Sequence, residues 1–245
     1  GVLVGDAPDD PRMMCGVGSI AARIDVALRG LFHPVADHPL AWDIKQADRL
    51  AELSGEIIDD RHRALAEVAF EAFTRLAAPQ LPGLRAQVIH NDISFHNVLV
   101  DPTQPWMIAG VYDFGDAIYA PLIQDLAVAA AEIPAGRKGP LALSARLVAG
   151  FHAITPLEPL EFDLLPVLAA SRLAMCLTIE AWKPFDDQRD HYDGSENSNA
   201  EMLESIQATG YEEVAHLYRS ACGISSSSLS VPAPIRTAEL KQRRD

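Results

Sequence analysis

Apolar side chains recur at the spacing of an amphipathic helix in two segments near the start of the chain. In residues 13–31 the pattern ends at Gly30, a residue type that commonly terminates helices. In residues 59–78 it follows two aspartates, which suit the positive end of a helix, and it ends before Pro79. The sequence therefore predicts two helices ahead of residue 80.

Short, partly β-branched runs bounded by turn residues come next. Residues 87–89, 98–100 and 107–112 have this composition, which is typical of strands. Residues 101–105 separate the second run from the third, and their prolines and aspartate predict a hairpin turn. The sequence thus predicts a small β element with one antiparallel hairpin.

The rest of the chain, up to residue 222, is helical in its pattern. Four helices are predicted there, over residues 122–133, 141–154, 162–182 and 200–222. Pro166 is expected in a first helical turn, where its missing N–H costs little, and the polar residues 186–198 predict a loop. Because strands and helices do not alternate, the expected fold class is α+β and predominantly helical, not a doubly wound sheet.

Composition and charge restrict the classes of partner. The net charge of −14 argues against nucleic acid, whose binders present a basic face, but it permits a nucleotide neutralised locally by Mg²⁺. The three cysteines are odd in number and widely spaced, which predicts reduced thiols in a cytoplasmic protein. Apolar runs such as 122–131 are too short to span a bilayer, so no membrane partner is expected.

Polar side chains stand at the ends of the predicted strands. Asp92 follows the first strand, Asn97 precedes the second and Asp113 follows the third. If the second and third strands pair about their turn, Asn97 and Asp113 meet at the open end of the hairpin, and the loop with Asp92 returns to the same place. Two carboxylates and an amide oxygen suit Mg²⁺ better than zinc. In phosphoryl transfer, Asn97 and Asp113 would hold metal ions on the phosphates of ATP or GTP, and Asp92 would accept the proton of the attacking hydroxyl.

The pattern His90-x-Asp92-x-x-x-x-Asn97, followed by Asp113-Phe114-Gly115, resembles the catalytic and metal-binding loops of the aminoglycoside phosphotransferase and choline kinase-like family. The sequence of residues 88–92 and 111–116 looks most like that of the hydroxylysine-kinase-like branch of this family. The resemblance implies a protein-kinase-like C-lobe. It also implies Asp92 as catalytic base and Asn97 and Asp113 as magnesium ligands that bind the nucleotide. The acceptor implied is a small alcohol or amino alcohol.

Further residues are candidates for supporting or substrate-binding roles. His90 is expected to brace the loop rather than touch substrate, and Asp125 to accept hydrogen bonds from that loop at a helix N-terminus. Asp43, Asp116 and Glu180 could place negative charge near the cleft and attract a cationic acceptor. The candidate substrate contacts are Trp42, Asp43, Asp116 and Trp182, although Asp116 could equally be structural and the tryptophans could be core or groove wall.

A kinase also needs a glycine-rich loop and a strand lysine on the phosphates. Gly16-x-Gly18 lies inside a helical pattern and Lys45 is not in an apolar strand, so the resemblance implies an N-terminal lobe ahead of Gly1. Residues 1–224 are therefore expected to form an incomplete kinase-like C-lobe. Residues 225–245 read as a Ser/Pro-rich linker and polar tail, which leaves room for a fused or missing domain at either end.

Several alternatives to a kinase remain at this point. Asp and Asn also occur at strand ends simply because they cap backbone groups. His90, Asp92 and His96 could imitate a zinc site, although no His-x-His or CxxC pair completes it. A non-catalytic kinase-like binding module and a magnesium-dependent hydrolase are the remaining functional alternatives.

Overall fold

The computed structural model describes residues 1–7, 10, 12–133, 137–182 and 195–224. Its elements are β1 (Val2–Leu3), α1 (Met13–Leu28), α2 (Ala47–Ala51), α3 (Asp60–Ala72), β2 (Ala86–Ile89), β3 (Val98–Asp101), β4 (Gln104–Val111), β5 (Ile118–Pro121), α4 (Leu122–Ala131), α5 (Pro140–His152), α6 (Pro159–Trp182), α7 (Ser195–Thr209) and α8 (Tyr211–Ala221). The fold is therefore α+β and mostly helical, as predicted.

The strands form two small antiparallel sheets, ordered β1-β3-β4 and β2-β5. The predicted hairpin is β3–β4, in which Val98 pairs with Val111. At its turn the Asp101 carboxylate accepts the Thr103 N–H at 2.7 Å, an Asx-type bond that fixes the reversal. Strands β1 and β5 were not predicted, because β1 has two residues and β5 continues into α4 without a turn residue between them.

Helix α6 is the centre of the core. It packs against α2, α3, α4, α7 and α8. By length and composition α6 could cross a bilayer, but 94% of its apolar window is buried inside the protein. Pro166 lies in the helix interior, contrary to the prediction of a first-turn position. The helix begins earlier because the Glu161 carboxylate reaches back to accept the Glu158 N–H at 2.8 Å, which is half of a capping box.

Helices α1 and α5 approach so closely that only glycine fits between them. A Cβ on Gly18 would stand 1.9 Å from the Leu147 carbonyl oxygen, and one on Gly150 would stand 2.1 Å from that of Cys15. Gly18 therefore serves the packing of α1 on α5, and Gly16 allows α1 to approach the Trp106 carbonyl oxygen of β4, so these glycines do not form a phosphate loop, in agreement with their predicted helical setting.

The C-terminal part differs from the prediction in two places. Residues 200–222 are two helices and not one, because Gly210 adopts a φ of 94° between α7 and α8. The loop predicted for residues 186–198 is wrong for 195–198, which begin α7, while 186–194 fall outside the described residues. The predicted linker and tail, 225–245, also fall outside them.

Candidate active site

Asp92, Asn97 and Asp113 come together at the open end of the β3–β4 hairpin. The Asn97 side-chain Nδ2 donates to Asp92 Oδ2 at 2.6 Å and to the Asp92 carbonyl oxygen at 3.0 Å. The Asn97 carbonyl oxygen accepts the Tyr112 N–H at 3.1 Å, so Asp113 is the first residue beyond the last hairpin bond. The hairpin register thus brings the ends of the two strands to one place, and an amide bond ties the Asp92 loop to them.

Two residues of this site have left-handed backbone conformations that non-glycine residues rarely adopt. Asn91 has a φ of 67° and Asp113 a φ of 62°, and no other non-glycine residue in the described part has a positive φ. Such strain collects at functional sites, where the surrounding structure holds it in place. Gly115 donates its N–H to Asp113 Oδ1 at 3.2 Å, and a Cβ at Gly115 would lie 3.1 Å from that oxygen. The tight turn is therefore at Asp113 itself, and Gly115 leaves room for its carboxylate.

The oxygens at this site fit Mg²⁺ that also binds phosphates. Asn97 uses its amide nitrogen on Asp92, which leaves its Oδ1 available to a cation, and the Asp113 side chain is exposed. Mg²⁺ typically takes one or two protein oxygens and completes its shell with water and substrate phosphate. No cluster of three His, Cys, Asp or Glu side chains able to hold a metal occurs among the described residues.

The zinc alternative on His90 finds no support, because both nitrogens of its ring have backbone partners. Nε2 lies 3.2 Å from the Tyr112 carbonyl oxygen, and Nδ1 lies 3.3 Å from the Asp92 backbone nitrogen. The ring is fully buried and contacts Phe114, with ring centroids 4.4 Å apart. His90 thus links the Asp92 loop to the residues around Asp113.

Asp125, in the first turn of α4, anchors the same loop from below. Its Oδ2 accepts the His90 N–H at 3.1 Å and its Oδ1 accepts the Asn91 N–H at 2.7 Å. Gln124 donates to the Asn91 side-chain oxygen at 2.9 Å, so two successive residues of α4 hold the strained Asn91 in place. Asp125 and Gln124 are both buried, which makes these bonds costly to break.

Asp25 of α1 adds a second buried carboxyl beneath this loop. It is 1% exposed, and neither of its carboxyl oxygens has a donor. Burial, followed by the neighbouring Asp125 charge, raises the pKa of Asp25 to about 10. At neutral pH the Asp25 carboxyl is therefore protonated. The sequence signal, unused in the sequence analysis, is an acidic residue on the buried face of a helix.

Asp25→Asn is expected to stabilise the chain at neutral and alkaline pH. The folded chain must keep a proton that the unfolded chain releases above about pH 4, so native stability falls as pH rises towards the folded pKa of about 10. Asparagine is neutral throughout and has nearly the same size as the protonated aspartate. The gain in unfolding free energy should be near zero at about pH 4 and on the order of 2 kcal/mol at about pH 8, measured by urea unfolding. Asp6→Asn, at an exposed turn, is the control, and destabilisation by Asp25→Asn at pH 8 would contradict this assignment.

The candidate substrate residues are placed differently from one another. Asp116 is partly buried, and burial followed by the nearby Asp92 charge raises its pKa. Trp42 is half-buried beside Arg172, and Trp182 is 48% exposed at the end of α6. Asp43 is 1% exposed, and its carboxylate accepts the Lys45 N–H as the cap of the helical turn Ile44–Gln46. The predicted substrate contact at Asp43 therefore finds no support, because a local cap and Gln124 occupy that carboxylate.

Two charged residues at the site, Arg172 and Glu132, were missed in the sequence analysis. Arg172 is 4% exposed in the middle of α6, and its Nη2 lies 3.3 Å from both Asp92 Oδ1 and Glu132 Oε1. Its Nη1 donates to the Trp42 carbonyl oxygen at 3.0 Å. The available signal was that Arg172 is the one basic residue of α6, inside an otherwise apolar run.

Comparison with known proteins identifies the fold and the family of the chain. The hydroxylysine kinase of Bos taurus is 23% identical over 189 residues, which are 73% of this chain and 50% of the relative, so the chain spans about half the length of the curated relatives it matches. A microcompartment-associated aminopropanol kinase shares the fold at a TM-score of 0.58 and 19% identity, covering 90% of this chain and 66% of that one. The amicoumacin kinase hAmiN, solved with AMP-PNP, Ca²⁺ and its ligand Ami, has a TM-score of 0.51 and 14% identity, covering 84% of this chain and 59% of that one. The family model described as the phosphotransferase enzyme family matches residues 5–159, more than half of the sequence, and the chain belongs to that family.

Proposed function

We propose that this chain carries the catalytic half of a kinase that transfers the γ-phosphate of a nucleoside triphosphate to a hydroxyl of a small, amino-bearing molecule. The observation that carries the proposal is the 2.6 Å bond from Asn97 to Asp92 at the end of the hairpin where Asp113 also lies. One amide thereby orients a carboxylate with its nitrogen and leaves its oxygen for a metal. Local capping alone does not require this division of roles.

In the proposed reaction, Asp92 accepts the proton of the acceptor hydroxyl as that oxygen attacks the γ-phosphorus. The bond from the γ-phosphorus to the bridging oxygen breaks, and the nucleoside diphosphate leaves. Asn97 and Asp113 would hold Mg²⁺, which neutralises charge on the phosphates when bound. His90 and Asp125 would keep the loop of Asp92 in position through the contacts described above.

We propose that the glycine-rich loop and the strand lysine that would contact the nucleotide phosphates lie outside this chain. Lys45 lies in the helical turn Ile44–Gln46 and donates to the Tyr119 carbonyl oxygen at 2.7 Å, while Gly18 is packed against α5. The greater length of the relatives supports a further lobe. The AMP-PNP and Ca²⁺ bound by hAmiN support a nucleotide and a divalent cation as ligands of the complete protein. The chain alone should accordingly bind ATP or GTP poorly. A cytoplasmic location is part of the same proposal, since Cys15, Cys176 and Cys222 are free thiols and the co-substrate is a nucleotide.

The proposed acceptor is cationic. The Asp116 carboxyl is close enough to Asp92 for the Asp92 charge to raise its pKa, and the net charge of −14 would attract a positively charged ligand. Hydroxylysine and aminopropanol, the substrates after which two similar kinases are named, are both amino alcohols and support the same class of acceptor.

The test is phosphotransfer from ATP and GTP to 5-hydroxylysine, aminopropanol and a neutral sugar, with free phosphate measured in parallel. The assay is run on this chain and on the chain with any residues that its gene encodes ahead of Gly1. Phosphorylation of the amino alcohols, detected by mass spectrometry, is the expected result.

Phosphate release without transfer would favour the hydrolase alternative. Nucleotide binding with neither reaction would favour the non-catalytic module, and exclusive turnover of the sugar would overturn the cationic acceptor. Micromolar nucleotide binding by this chain alone, measured by calorimetry, would contradict the proposed external lobe.

A further inference from the structure

We propose that Glu132 and Arg172 form a positioning pair that leaves Oδ1 of Asp92 free to take the acceptor's proton. The inference rests on the proposed role of Asp92 as base and deepens it. Glu132 restrains the Arg172 guanidinium, and this restraint prevents Arg172 from closing a full ion pair with Asp92.

Arg172 connects three separate segments of the chain. Its Nη1 donates to the carbonyl oxygen of Trp42, its Nε and Nη2 face Glu132 at 3.4 and 3.3 Å, and Nη2 also faces Asp92 at 3.3 Å. A guanidinium that is 4% exposed needs such partners, because an unpaired buried charge is strongly destabilising. The position of Arg172 is therefore fixed by its partners and is not a chance surface contact.

The two oxygens of Asp92 are held unequally. Oδ2 accepts a short bond of 2.6 Å from Asn97, whereas Oδ1 lies 3.3 Å from a nitrogen that it shares with Glu132. Ion-paired hydrogen bonds of this type normally measure about 2.7–2.9 Å. The Oδ1 contact is thus long and shared, so a substrate hydroxyl can displace it at little cost, while Oδ2 keeps the carboxylate oriented.

Glu132 explains why the Oδ1 contact stays long. Two Arg172 nitrogens face the one oxygen Oε1 of Glu132, so Nε is engaged by Glu132 and Nη2 is shared between Glu132 and Asp92. Without the Glu132 charge this edge of the guanidinium could bind Asp92 with both nitrogens, the geometry that guanidinium and carboxylate prefer. Glu132, which follows α4 directly, then acts on catalysis through Arg172 without contacting substrate.

The first experiment needs no activity and uses this chain as it is. Crystal structures of the parent and of Glu132→Gln are compared, and the separation of Arg172 Nη2 from Asp92 Oδ1 is expected to shorten from 3.3 Å to about 2.8 Å. An unchanged or longer separation would overturn the proposal. This outcome is independent of whether the protein proves to be a kinase.

The second experiment measures turnover of the Mg-ATP and amino-alcohol reaction in the form of the protein that is active. Glu132→Gln is expected to lower kcat about tenfold with KM changed less than about twofold, because a positioned base acts in the transition state and not in binding. Arg172→Lys keeps the charge but cannot bind a carboxylate in bidentate fashion. In the Arg172→Lys background, adding Glu132→Gln should therefore lower kcat much less than it does in the parent. Equal effects of Glu132→Gln in the parent and in Arg172→Lys would overturn the coupling.

The matched control is Glu161→Gln. Glu161, whose side chain is 1% exposed, pairs with Arg85 at 2.7 Å near the start of α6, and it has no contact with Asp92 among the described residues. It should cost stability without changing kcat. A fall in kcat for Glu161→Gln equal to that for Glu132→Gln would reduce the Glu132 effect to general destabilisation and defeat the positioning role.

Discussion

Asp92→Asn is expected to reduce phosphotransfer by roughly 10²–10⁴-fold, the range typical of removing a positioned general base. Asparagine keeps the size of the side chain and can still accept the Asn97 amide bond at 2.6 Å, but it cannot take a proton from the acceptor hydroxyl. The Asp92 side chain is 23% exposed, so its removal leaves no deeply buried cavity. The melting temperature should therefore stay within a few degrees of the parent while kcat falls.

Asp101→Asn is the matched control for this variant. Asp101 is the aspartate at the closed end of the same hairpin, where its carboxylate holds the turn through Thr103, and it should leave kcat unchanged. Steady-state kinetics and thermal unfolding of both variants form the measurement. A large loss of stability in Asp92→Asn with a proportionate loss of activity would instead make Asp92 a structural residue.

The hairpin and the meeting of its polar ends could be predicted because both follow from short-range pattern. Two β-branched runs about a proline-containing turn allow few registers, and pairing Val98 with Val111 brings Asn97 and Asp113 to one end whatever the rest of the fold does. The positions of Asp92 and Asp113 in the family motif added their expected roles. The left-handed backbone of Asp113 could not be seen in the pattern, although aspartate is among the few residue types that tolerate it.

The missed residues are those whose partners come from distant segments. Arg172 and Asp25 lie on helices whose periodicity shows only that a charge occurs among apolar residues, and not which element faces that charge. Glu132 follows α4 and meets Arg172 only through the packing of α4 on α6. Asp43 was predicted as a substrate contact because it could place negative charge near the cleft, and the structure shows its carboxylate as the cap of the next three residues. The sequence pattern therefore predicts the hairpin and loop that form the site, whereas the buried charges around it can be identified only from the tertiary structure.

Asp113→Asn is expected to lower metal-dependent phosphotransfer by roughly 10²-fold or more, since a metal ion contributes several kcal/mol of charge stabilisation in such reactions. Asparagine is the informative substitution here. Asp113 has a φ of 62°, and asparagine adopts that conformation more readily than alanine, so the backbone should be retained while the ligand charge is lost. The bond from Gly115 N–H can also persist, because the asparagine oxygen accepts it.

The measurement that isolates the metal is a titration of activity with Mg²⁺ at fixed ATP. The concentration of Mg²⁺ that gives half-maximal activity should rise in Asp113→Asn, because Mg²⁺ then has only the Asn97 amide oxygen and one neutral oxygen from the protein. Asp116→Asn, which removes a carboxyl that interacts electrostatically with Asp92 and Asp113, is the control: it should change KM for the amino alcohol and leave the Mg²⁺ dependence close to that of the parent. Near-normal turnover of Asp113→Asn at moderate Mg²⁺ would contradict the proposed role of Asp113 as a metal ligand. The strained turn that presents the Asp113 carboxylate at the end of the hairpin would then have no functional explanation.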